Sequence, residues 1–84
     1  MWITFDIDGL DPTLCPGTGT PVPGGLGWHT AMALLDGVAA RGHRVVGFDL
    51  TEVGTGAWDL NVGARVLLKL ATLALTTQRL ETRP

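Results

Sequence analysis

The stretch Phe5-Asp6-Ile7-Asp8-Gly9-Leu10-Asp11-Pro12 places three carboxylates on six residues at the end of an apolar, strand-like run. Side chains alternate along a strand with a period of two, so Asp6 and Asp8 are expected to leave the backbone on the same side. Adjacent acids repel and are costly to desolvate, and a sheet gains nothing from such a pair. A hard cation reverses that cost, because carboxylate oxygens are the ligands it prefers. The pair therefore has two readings: ligands of a metal ion, or turn-forming aspartates that bond loop amides. Gly9-Leu10-Asp11-Pro12 favours the first, since the whole segment is built to hold the acids in place. Asp11, just before Pro12, reads as a turn residue or as a group that orients a ligand.

A second acidic cluster lies in Gly47-Phe48-Asp49-Leu50-Thr51-Glu52-Val53. Glu52 is either a solvated loop carboxylate or, at a strand's carboxyl end, a binder of a cationic substrate group through paired hydrogen bonds. Asp49 sits inside the strand run and reads as structural. Pro16-Gly17-Thr18-Gly19-Thr20-Pro21 invites a phosphate-binding reading, but it lacks the P-loop pattern and no lysine follows. Its prolines suggest a rigid wall instead. His29 and His43 are isolated, without a ligand partner at i+4, and read as surface or helix-flank residues. Cys15 reads as a packing residue, since nothing near it in sequence would lower its pKa.

The elements that must position these groups follow from residue type and period. Residues 2–6 form a strand of β-favouring side chains. Residues 7–25, with four prolines and five glycines, form a loop. A helix is expected from Gly27 to Arg41, with Trp28, Met32, Leu35 and Val38–Ala39 on one buried face and Gly42 ending it. Residues 44–50 form a second strand, apolar enough to be covered on both faces. After a Gly-rich loop over 51–58, Asp59 caps a final helix running to Gln78. That helix is apolar on more than one side and needs more covering than these residues supply. The order β–loop–α–β–loop–α predicts an α/β fold with parallel strands, joined by a right-handed crossover. Both acidic clusters then fall beyond the carboxyl ends of the strands, where such sheets bind ligands.

Bulk properties bound the rest. Eighty-four residues make at most one small domain, and 45% of them are hydrophobic. One cysteine excludes an internal disulfide framework and fits a reducing, cytoplasmic compartment. A net charge of −2 with scattered basic residues excludes a nucleic-acid binder. The N-terminus lacks the basic start of a signal peptide, and the apolar run Val66–Leu75 is too short to span a bilayer. The abrupt start, with one residue before the first strand, suggests that sequence precedes it.

Taken together, the acidic motif, Pro16-Gly17-Thr18-Gly19-Thr20-Pro21 and Gly24-Gly25-Leu26 resemble the last metal-binding motif of the ureohydrolase (arginase/agmatinase) family. The Pro-Gly-Thr-Gly-Thr-Pro form is closer to agmatinases than to most arginases. Gly47–Val53 resembles the family's later strand-and-glutamate motif, and Trp58-Asp59 with Asn61–Arg65 resembles the start of its last helix. The resemblance covers nearly the whole chain, as a C-terminal portion of the family's domain.

The resemblance implies a three-layer α-β-α fold and two Mn²⁺ ions bridged by hydroxide, with Asp6 bridging both and Asp8 ligating one. Glu52 would hold the guanidinium of a linear, agmatine-like substrate, which is hydrolysed to urea and an amine. The family's assembly implies an oligomer in the full-length protein, acting on a small molecule rather than on a membrane or nucleic acid. The chain also departs from the family pattern. The upstream Gly-Gly-Asp-His and Asp-Ala-His-x-Asp motifs, which carry the other metal ligands, are absent. An aromatic-Arg-Glu run is replaced by Trp28-His29-Thr30, and Glu-Val-Asn-Pro by Glu52-Val53-Gly54-Thr55. Two aspartates cannot fill a binuclear centre that takes about four to six protein ligands, so these residues alone are expected to be inactive. The alternative is a non-catalytic remnant that associates with another subunit through its apolar faces.

Overall fold

The computed structural model describes residues 1–79, with only the backbone of Arg79 included. Two strands, β1 (Trp2–Asp6) and β2 (Gly47–Thr51), pair in parallel, with Trp2 opposite Gly47 and Asp6 opposite Thr51. Helix α1 (Trp28–Ala40) makes the crossover, and helix α2 (Ala57–Arg79) follows β2. The α/β reading and the parallel pairing both hold.

Register explains how the sheet divides its side chains. Ile3, Phe5, Phe48 and Leu50 are partly buried and pack on the core that α1 and α2 complete. Trp2, Thr4 and Asp6 are exposed. Only one face of the sheet is covered among the described residues, so the expected covering of β2 on both faces is not met here. The shape agrees: the extents are 46 × 21 × 16 Å and the radius of gyration is 13.6 Å. A compact chain of this length would have about 12 Å. The molecule is elongated.

Helix α1 follows the sequence pattern. Ala31 and Leu35 are buried, with Trp28, Met32, Val38 and Ala39 packed around them. Its end is a Schellman motif: the Gly42 N–H bonds Ala39 O at 3.0 Å and the His43 N–H bonds Val38 O at 3.2 Å. Gly42 takes φ +82°, which a side chain would resist.

Helix α2 buries Val62, Val66, Leu70, Leu73 and Thr77, successive residues of one stripe. Leu70 and Val66 are wholly buried, each worth about 1.5–3 kcal/mol of transfer free energy. The opposite side exposes Leu60, Leu67, Leu68 and Leu75, as the sequence predicts. By length and composition alone α2 could cross a membrane, so the apolar run is not too short in its helical context. Its buried stripe packs on protein, Lys69 pairs with Asp36 of α1, and Arg65 lies on the same helix. Charged groups at mid-helix are unfavourable in lipid, which supports a packed helix of an α/β domain.

Two boundaries differ from expectation. The second strand begins at Gly47 rather than residue 44. Val45 is buried, and its N–H bonds the Thr77 hydroxyl of α2 at 3.0 Å instead of a strand. Helix α2 begins at Ala57, so Asp59 lies in its first turn and is not the cap.

Candidate metal and substrate site

Strand β1 ends at Asp6, and a 3-10 turn over Ile7–Gly9 follows at once. Strand alternation therefore does not extend to Asp8, and the expected reason for the pair's common side is replaced by a turn. The outcome is similar in kind: Ile7 is buried, while Asp6 is exposed and Asp8 partly so. The long loop closes on itself where Leu10 bridges Leu26, with Leu26 N–H to Gly9 O at 2.9 Å and Asp11 N–H to Leu26 O at 2.8 Å. Gly25 is required there, since a Cβ would lie 2.5 Å from the Leu10 carbonyl oxygen.

Each of the two acids accepts one threonine hydroxyl. Thr51, at the end of β2, donates to Asp6 Oδ1. Thr20, from the Gly-Thr-Gly-Thr loop, donates to Asp8 Oδ2. These threonines are contributors that the sequence reading missed. The register partner of Asp6 was the available signal for Thr51, and Thr20 had only its loop to mark it. Among the described residues these are the hydrogen bonds to the two carboxylates, so each keeps an oxygen for another ligand.

Glu52 follows Thr51 directly, on the same sheet edge as Asp6, and is exposed. Its φ of 67° makes it the non-glycine residue with left-handed backbone among those described. Such a conformation costs about 1–2 kcal/mol in an L-residue and gathers at functional sites. The parallel register thus brings Asp6 and Glu52 to one edge, with Asp8 in the turn after Asp6.

The remaining candidates fall into supporting roles. Asp49 is structural, as expected, accepting Trp2 Nε1–H at 2.9 Å and the Thr4 hydroxyl at 3.1 Å. Asp11 forms the expected turn, accepting the Thr13 hydroxyl at 2.7 Å and the Thr13 N–H at 3.0 Å. Those bonds hold its pKa below the usual carboxylate value. Cys15 is fully buried, and burial, with Asp59, Asp8 and Asp11 around it, pushes its thiol pKa up. A thiol so placed packs and does not react. His29 and His43 are exposed.

The donor set fits a hard cation in kind, since both acids offer carboxylate oxygens. In number it is partial: among the described residues no group of three or more His, Cys, Asp or Glu could hold a metal ion.

Parallel strands joined by a crossover helix, with carboxylates gathered at the strands' carboxyl ends, define the class, one edge of an α/β domain. Comparison with known proteins makes it specific. The sequence model of the arginase family matches residues 1–74, and the chain belongs to that family. It is 45% identical over 75 residues to an agmatinase of Cronobacter sakazakii, covering 89% of this chain and 23% of the relative. An agmatinase of Photorhabdus laumondii is 40% identical over 84 residues, 94% of this chain and 26% of the relative. The chain spans about a quarter of the length of the curated relatives it matches. Among solved structures, a hypothetical agmatinase from Burkholderia thailandensis superposes with a TM-score of 0.78 at 37% identity, over 98% of this chain and 26% of that one. Proclavaminate amidino hydrolase from Streptomyces clavuligerus gives 0.75 at 35% identity, over 87% and 26%. The α/β fold is therefore arginase-like.

Proposed function

We propose that this chain forms part of the site of an agmatinase-like ureohydrolase, which hydrolyses a linear guanidino compound to urea and an amine. The observation that carries the proposal is the left-handed Glu52 placed one residue past the Asp6–Thr51 register pair. Asp6 and Asp8 would hold Mn²⁺, together with ligands from outside this chain. Bound Mn²⁺ supplies a water acidic enough to act as hydroxide near neutral pH. Thr51 and Thr20 fix the two carboxylates through their hydroxyl bonds, which orients the free oxygens. Glu52 would bind the guanidinium through paired, charge-assisted hydrogen bonds and hold its carbon in place for attack. The names of the similar agmatinases support an agmatine-like substrate. The exposed leucines of α2 would be covered by other parts of such an enzyme.

The test grafts residues 1–74 into an agmatinase in place of its matching segment and measures urea release from agmatine with Mn²⁺. Activity that Asp6→Asn abolishes is the expected result. A folded chimaera without activity would count against the reading. The 84-residue chain alone should release no urea above its Asp6→Asn/Asp8→Asn variant.

A further inference from the structure

Asp59 is an ionisable side chain that is only 3% exposed, yet it belongs neither to the acidic edge nor to a helix cap. Its Oδ1 accepts the Gly17 N–H at 2.8 Å, across 42 residues of chain. Three glycines from two loops make room for the carboxylate. A Cβ on Gly17 or on Gly56 would lie 2.7 Å from Asp59 Oδ2, and one on Gly54 would lie 3.0 Å from Asp59 Cγ. Gly54 also lies against the Gly17 backbone, since its Cβ would meet the Gly17 carbonyl carbon at 2.6 Å. The first turn of a helix favours an acid, which offsets part of the cost of burying this one.

These contacts join the loops that carry the candidate site groups. Three residues beyond Gly17, Thr20 donates to Asp8. Two residues before Gly54 stands Glu52 with its left-handed backbone. Thr18, between Gly17 and Thr20, is 7% exposed, so this part of the loop is seated rather than free. The Gly54-Thr55-Gly56 sequence, where the family pattern has Asn-Pro after Glu-Val, leaves space for the carboxylate.

We propose that Asp59 is a positioning residue that clasps the loop after β1 to the loop after β2, setting Asp8 and Glu52 in place from the first turn of α2. The proposal rests on the metal-site reading for its purpose, but the clasp itself is a matter of this chain's own bonds. An asparagine keeps the acceptor for Gly17, whereas an alanine loses it. Asp59→Asn should therefore rescue what Asp59→Ala breaks, which a role dependent on charge alone would not allow.

The experiment follows amide hydrogen exchange by NMR in the 84-residue chain, with Mn²⁺ added afterwards to read line broadening at Asp6 and Asp8. In the unsubstituted chain the Gly17 amide should be protected. Asp59→Ala should speed its exchange about tenfold, the loss expected for one hydrogen bond to a charged acceptor. Residues 18–20 and 53–56 should change with it, while the α1 amides stay as they were. Asp59→Asn should restore most of the protection. Broadening at Asp8 in Asp59→Ala should need more Mn²⁺ than in the unsubstituted chain. Thr20→Val should alter Asp8 broadening without touching Gly17. Unprotected Gly17 in the unsubstituted chain would overturn the proposal, as would loop 53–56 unmoved in Asp59→Ala or the same loss in Asp59→Asn. If Mn²⁺ broadens neither aspartate while the clasp readouts behave as stated, the clasp stands on its own bonds, and the metal reading is decided by the chimaera, where the other ligands are present.

Discussion

Thr51 donates its hydroxyl to Asp6 across the last register pair of two parallel strands. One strand thereby supplies the acid and its neighbour the group that orients it. The same neighbour continues into Glu52, so a single backbone step separates the hydroxyl that holds one candidate group from the other candidate itself. The pairing of strands is thus also the assembly of the acidic edge.

In the complete enzyme, Asp6→Asn should reduce turnover more than Glu52→Gln. The first removes a carboxylate that would hold metal, and the second only a contact that a guanidinium substrate would make. Metal analysis after dialysis separates them, with Mn²⁺ lost from Asp6→Asn and retained in Glu52→Gln. Equal metal content in the two variants would contradict the assignment.

Glu52→Gly should stabilise the fold while impairing substrate binding. Glycine relieves the left-handed backbone, and its extra freedom in the unfolded chain returns part of the gain. The net expectation is about 0.5–1 kcal/mol, read from the shift in urea midpoint. In the complete enzyme KM should rise at the same time. A lower midpoint would mean that the backbone at residue 52 is not under strain.

Thr77→Val should cost about 1–3 kcal/mol, although the two side chains have the same shape. The substitution leaves the buried Val45 N–H without the hydroxyl it bonds at 3.0 Å. Thr77→Ser keeps the acceptor and should lose clearly less. Equal denaturation midpoints for the two variants would show that the packing of the methyl group, not the hydrogen bond, matters there.

The Asp11 turn carries a pH dependence of known sign. Its folded pKa lies below the ordinary 3.8, mainly because of the Thr13 hydroxyl and then the Thr13 amide. The stabilisation is therefore complete above pH 3.8 and fades as the pH falls through the folded value. Thr13→Val should move the Asp11 carboxyl pKa upward in a carbon-detected NMR titration. An unmoved titration would remove the hydroxyl as the cause.

Much of this architecture can be read from the sequence where local forces decide. Trp2–Asp6 is a strand because its residues favour one, and α1 ends where Gly42 permits the left-handed turn. Asp6, Asp8 and Glu52 stood out because carboxylates at strand ends have few structural uses. What escaped was decided at a distance. Val45 and Val46 look like strand, but Thr77, 32 residues away, takes the Val45 amide. Asp59 looks like a cap, but a glycine 42 residues earlier gives it a different partner. Thr20 and Thr51 are ordinary until folding sets an acid beside each.

The 45 positions that separate Asp6 from Thr51 also set an order of events. Closing a segment of that length costs about 3 kcal/mol of chain entropy before any rung of the sheet returns it. Helix α1 makes its bonds between near neighbours and bears no such delay. Its turns should form early and the strands meet afterwards, every rung of the parallel ladder spanning the same 45 positions. Pulse-labelled hydrogen exchange during refolding should protect the amides of Ala31–Leu35 before those of Phe48–Thr51. The acidic edge is thus assembled on two scales: Asp8 is held by Thr20, 12 positions away, whereas Asp6 is held only once strands 45 positions apart have met.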